Sequence, residues 1–186
     1  ELIPSGQKNN TVKMWVSATD DDNGNGTSIL ESSPVARTFI VDKDNPYFVQ
    51  DSLKLITDSD SEQAYKEGMS VKGEWWLVGT IKDDVPGIKT ISVTEKDANG
   101  KYVETTYIST AGGEKTTGDY LFTPVPNVVG AYTYYNYDFK IKVGSTEGTG
   151  EKSFRITATE DKPSNALQSY KDFIIRYDNL PPTVAT

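Results

Sequence analysis

The chain has no cysteine and no histidine. The first absence rules out disulfides and thiolate nucleophiles. The second removes imidazole as base or ligand. Together they exclude the Ser-His-Asp and Cys-His arrangements of nucleophilic catalysis and argue against zinc and copper centres, which draw on sulfur and imidazole. Carboxylate chemistry and metals bound through oxygen remain open. Positive charge is also scarce: 19 Lys and Arg stand against 27 Asp and Glu, a net charge of −8. This opposes nucleic acid or an anionic membrane as partner, since both select clusters of Lys and Arg. No apolar run reaches the ~18 residues of a membrane-spanning helix. The first residues, E-L-I-P-S-G-Q-K-N-N, lack the basic start and apolar core of a signal peptide. Beginning on Glu1, the chain reads as a piece of a longer protein.

What is present is strand-forming sequence. Eleven Tyr accompany frequent Thr, Val and Ile in 186 residues, enough for one or two domains. One phrase occurs twice. Phe39 to Pro46 reads F-I-V-D-K-D-N-P, and Phe173 to Pro182 reads F-I-I-R-Y-D-N-L-P-P. Val16 to Asp21 (V-S-A-T-D-D) precedes the first, and Ile156 to Asp161 (I-T-A-T-E-D) precedes the second. Thr19 and Thr159 lie 140 residues apart, and Asp44 and Asp178 lie 134 apart, so the first copy is longer by the D-N-G-N-G segment around residues 22–26. A period of this length implies one whole domain per repeat rather than a solenoid. This sets the expected boundaries: residues 1–45 as the closing hairpin of a preceding domain, 46–179 as a complete domain, and 180–186 as the start of the next linker.

Alternation places strands at 11–19 and 35–42 around a long loop at 20–34, and then at 53–57, 71–82, 88–96, 101–109, 134–143, 152–159 and 169–177, with an edge strand at 119–125 that tolerates Pro124. Residues 58–70 are read as a polar loop that includes a helical turn, and 110–118 as a Gly/Thr-rich loop. Asn99-Gly100 is the strongest hairpin signal in the chain. Over 134–143, Tyr135, Tyr137, Phe139, Ile141 and Val143 face one way, with Asn136, Asp138, Lys140 and Lys142 facing water. The fold class this predicts is all-β, an antiparallel β-sandwich of the immunoglobulin-like kind.

Three stretches carry a family resemblance: W-L-V-G-T-I-K-D-D-V-P-G-I-K-T-I-S-V at 76–93, F-R-I-T-A-T-E-D at 154–161 and F-I-I-R-Y-D-N-L-P-P-T-V at 173–184. They resemble the bacterial immunoglobulin-like repeat domains of secreted and cell-surface proteins, with the Tyr-rich 119–143 region departing from the compact members. The resemblance implies a tandem module acting as stalk, spacer or adhesin outside the cell. Its partners would be neighbouring repeats and a cell-surface protein or glycan. It implies no catalytic residues and no required cofactor.

Two groups of oxygen-bearing residues make calcium a candidate ion. Asp21, Asn23, Asn25 and Gly26 follow D-x-N-x-N-G, which presents hard oxygens at alternate positions, although the acid expected at the twelfth position is replaced by Ser32. The second group gathers Asp42, Asp44 and Asn45 of the linker with Asp83 and Asp84 of one turn and Glu160 and Asp161 of another. It resembles the interdomain calcium arrangement of cadherins, the second family likeness, but lacks their additional Asn-Asp step. Trp76, Tyr132 and Tyr134 fall on the nominal outer side of their strands, where rings stack on sugars or anchor a partner. Against each stands a plain reading: turn residues in solvated loops, and aromatics covered by neighbouring chain.

Overall fold

The computed structural model describes residues 10–17, 19–21, 29–31, 34–59, 61–97, 99–129 and 131–181. The chain divides into two compact units, Glu1–Asp44 and Asn45–Thr186.

In the first unit, β1 (Asn10–Val16) pairs antiparallel with β4 (Val35–Val41), Val12 opposite Phe39 and Val16 opposite Val35. Because cross-strand partners share a side, Val12, Met14 and Val16 lie on the same face as Val35, Arg37 and Val41. Residues 20–34 are not wholly loop as the sequence suggested. Their flanks, β2 (Thr19–Asp21) and β3 (Ile29–Glu31), form a short antiparallel ladder with Asp20 opposite Leu30. The strand-forming Thr19, Ile29 and Leu30 at the edges of the turn-rich segment account for it.

The second unit is a β-sandwich. One sheet has the order β11-β10-β15-β16-β8 and the other β12-β13-β14-β9-β6-β7, with β5 also on β9. The strands are β5 (Tyr47–Phe48), β6 (Lys54–Ile56), β7 (Glu62–Ala64), β8 (Met69–Val71), β9 (Trp76–Lys82), β10 (Ile88–Lys96), β11 (Tyr102–Ile108), β12 (Lys115–Thr117), β13 (Tyr120–Val129), β14 (Tyr132–Lys142), β15 (Thr149–Glu160) and β16 (Gln168–Asp178). The pairings are antiparallel except β16 with β8, which run parallel. Period-two alternation explains why these segments are strands and which way they face. Leu77, Gly79 and Ile81 of β9 point inward with Phe139 and Ile141 of β14, and Phe154, Ile156, Phe173 and Ile175 point back from the other sheet. Phe173 is central: its ring lies 5.3 Å from that of Phe154, 5.4 Å from Tyr65, 6.1 Å from Phe139 and 6.1 Å from Phe48.

Local chemistry sets the breaks. The expected strand at 71–82 is cut at Gly73, whose φ of 84° lies in the left-handed region, so Val71 ends β8 and β9 starts only at Trp76. The 58–70 stretch holds β7 and the start of β8 rather than a helical turn; the short 3-10 helix lies earlier, at Gln50–Ser52. Residues 110–118 contain β12, and β13 runs on to Val129. β12 pairs only with Tyr120–Phe122, so Pro124 sits beyond its reach on a true edge. At the β10–β11 turn, Asp97 Oδ1 accepts the N–H groups of Asn99 (2.9 Å) and Lys101 (2.8 Å), and Gly100 takes a φ of 76°.

Because the second unit has a core of its own, deleting residues 1–44 should leave it folded. Its melting temperature by circular dichroism should stay within about 2 °C of the parent's, less than 1 kcal/mol at this size. Loss of cooperative melting would show that the core needs the first unit.

Candidate functional site

Strand register gathers several ends at one pole of the sandwich. Tyr47 lies opposite Lys82, Ile88 opposite Glu160 and Thr159 opposite Gln168. The chain therefore enters the second unit, at Asn45 and the buried Pro46, beside the end of β9, the start of β10 and the end of β15.

The turn after β9 folds back across β14. Gly87 has a φ of 83°, and a Cβ there would come 2.9 Å from Tyr134 Cβ and 2.9 Å from the Tyr135 nitrogen. Only glycine allows this approach. As a result the Asp83 N–H donates to Asn136 Oδ1 at 2.9 Å, and Asp161 N–H donates to the Gly87 carbonyl at 2.9 Å. The turn also covers Tyr134 and Asn136, which are 8% and 7% exposed. This corrects two expectations: Tyr134 is not an exposed binding ring, and Asn136 does not face water. Tyr134 Oη accepts the side-chain amide of Asn127 at 2.8 Å. Burial, and then the carboxylates of Asp84 and Asp83, push its phenol above the usual tyrosine range.

Two carboxylates are buried here, Asp83 at 3% exposure and Glu160 at 1%. An oxygen of each lies within 4.8 Å of the other. Asp83 Oδ1 accepts the Asp84 N–H at 2.9 Å. Glu160 Oε2 accepts the Leu167 N–H at 3.1 Å and pairs with Lys162 Nζ at 2.9 Å, while the Glu160 N–H donates to the Leu167 carbonyl at 3.1 Å. Glu160 Oε1 is buried with no hydrogen-bond donor among the described residues.

Asp84 is exposed, and Asp161 pairs with Lys89 Nζ at 3.2 Å. Asn45 is exposed at the entry. Asp42 and Asp44 belong to the first unit, where Asp42 Oδ1 accepts the Asp44 N–H at 3.1 Å. Asp21 ends β2, and Asn23 and Asn25 lie outside the described residues. Trp76 is half-buried: its Nε1–H donates to Asp58 Oδ1 at 3.2 Å, and Lys140 Nζ stands 4.5 Å over the ring. Tyr132 is 68% exposed. Trp76 pairs with Lys142, ten residues along β14 from Tyr132, or about 33 Å. The structure therefore does not bring Trp76, Tyr132 and Tyr134 into one platform. Sequence reading missed Asn136, Lys162 and Leu167 at the acidic pole. Each is set by how a loop crosses a strand end, and no local pattern marks that.

No protein-family model matches the chain, and no curated protein matches it.

Proposed function

We propose that this chain contributes a non-catalytic, immunoglobulin-like spacer to a longer secreted or surface protein, its role being to hold the segments on its two sides apart. The observation that supports this reading is the placement of the second unit's ends. Entry at Asn45–Pro46 is beside Lys82 and Glu160. The exit at Asp178–Asn179 lies at the other end of β16, opposite Thr149. β16 covers about 36 Å between the two poles. A module with termini at opposite poles adds its full length when joined in series, whereas one with adjacent termini adds a side branch. The exit is held by Asn179, whose Oδ1 accepts the Gly73 N–H at 2.8 Å and whose Nδ2 donates to the Ser145 carbonyl at 2.8 Å.

Small-angle scattering tests the reading on two copies of residues 45–181 joined head to tail. The maximum dimension should exceed that of one copy by about 40 Å, the strand length plus turns. Two copies folding back side by side, with little gain in length, would overturn it.

A further inference from the structure

The outer face of the β11-β10-β15-β16 sheet carries a hollow. Register sets Thr94, Arg155 and Asp172 in one cross-strand row, on β10, β15 and β16. Tyr102 of β11, opposite Lys96, and Ser153 of β15 belong to the next row. Alternation with the buried Val93, Phe154 and Phe173 puts these side chains on the outer side. With Glu67, from the segment between β7 and β8, they line a cavity of about 390 Å³, within the size range of small-molecule sites. Arg155 is its fixed point. Nε and Nη2 donate to Asp172 Oδ1 at 2.7 Å and Oδ2 at 2.9 Å, and the guanidinium carbon stands 3.9 Å from the centre of the Tyr170 ring. A long side chain is thereby held in one orientation, with Nη1 left outside the pairing. Tyr102 and Tyr170 are 55% and 61% exposed, large rings that this sheet leaves open to solvent.

We propose that this cavity binds a neutral sugar, one pyranose unit with its C–H face against Tyr102 and adjacent hydroxyl groups on Arg155 and Asp172. The lining selects the ligand by elimination. An anion meets the carboxylates of Asp172 and Glu67, and the one guanidinium there is already paired. A cation meets Arg155 and Lys96, whose Nζ already stands 5.1 Å from the centre of the Tyr102 ring. A wholly apolar ligand would strip water from the Arg155–Asp172 pair and return no hydrogen bond. A sugar is uncharged, and its ring offers an apolar face to an aromatic side chain. Its neighbouring hydroxyls each donate and accept, which suits a carboxylate and a guanidinium held side by side. With one pyranose unit in an open hollow, half-saturation at about 0.1–10 mM is expected. This inference does not rest on the spacer reading, because a sugar can bind whether or not the module adds length.

The test is NMR titration of the whole 186-residue chain with α- and β-linked neutral oligosaccharides of glucose, galactose, mannose and xylose, and with sialyllactose as the anionic control. At least one neutral series should bind, with saturation approached by about 20 mM sugar. Tyr102→Ala should weaken that binding about tenfold through the lost ring face. Arg155→Lys, which keeps the charge but loses the planar fork, should do the same, by about tenfold. Tyr132→Ala, on the other sheet, should leave the affinity unchanged. Circular dichroism confirms that each variant is folded, and if one of the two site variants is not, the other decides. Failure of every neutral series to bind overturns the site. Binding of sialyllactose alone overturns it too, by showing a preference for an anion. So does neutral-sugar binding that survives both Tyr102→Ala and Arg155→Lys, or that is lost with Tyr132→Ala instead, since either places the sugar elsewhere.

Discussion

Replacing Phe173 with alanine is expected to cost the second unit about 3–5 kcal/mol, the range for deleting a fully buried aromatic side chain. The ring has no solvent exposure and touches rings from both sheets: Phe154 beside it, Phe139 and Phe48 across the sandwich, and Tyr65 just past the end of β7. No neighbour can fill the space, because each ring is already held by the others. Urea unfolding monitored by tryptophan fluorescence measures the loss, and it should appear as a lower midpoint with an unchanged slope. Phe173→Leu should recover much of it. A cost below about 1 kcal/mol for the alanine variant would mean that the sandwich can close over the gap.

The second large effect is expected at Gly144, from the opposite cause. A Cβ there would run into the Gly73 carbonyl oxygen and stand 2.7 Å from the Trp75 nitrogen and 3.2 Å from Glu74 Cα. These are backbone atoms, so no rotamer change relieves the contact. The same backbone is tied to the strand end by the Val143 N–H to Trp75 carbonyl bond (2.9 Å) and by the Asn179 amide. Gly144→Ala should therefore cost about 2–3 kcal/mol, at the upper end of overpacking penalties. It should also speed hydrogen exchange at the Gly73 amide, whose partner is Asn179. Gly118→Ala is the control: nothing lies within 4 Å of a Cβ there, and its cost should be near zero. A neutral Gly144→Ala would show that the 73–75 segment is free to move outward.

Strand positions were legible in the sequence where alternation is uninterrupted. Ile88 to Lys96 was expected as a strand and is one residue for residue, and the inward set Tyr137, Phe139, Ile141 and Val143 is buried as periodicity requires. Legibility failed where tertiary contact overrides period. Asn136 and Tyr134 occupy solvent-side positions of β14, yet the Gly87 turn crosses them, and nothing local to β14 announces a turn from so much earlier in the chain. Short edge strands such as β7 and β12 were missed because three residues carry no period to detect. At the acidic pole, Asp83 and Glu160 were legible as candidates from their turns. Their depth of burial and the support from Leu167 and Lys162 were not, since both depend on how β15 and β16 meet.

The register of β16 has a mechanical consequence. Tension applied between Asn45 and Asn179 acts along β16 rather than across it, so the rungs from Gln168–Thr159 to Asp178–Thr149 share the load at once instead of parting one by one. The entry strand is loaded in the same sense but grips β9 through only Tyr47–Lys82 and Phe48–Ile81, with the Val49 N–H to Thr80 carbonyl bond behind them. Under a steady pull, β5 slips first, lengthening the tether by a few residues while the sandwich behind it stays closed.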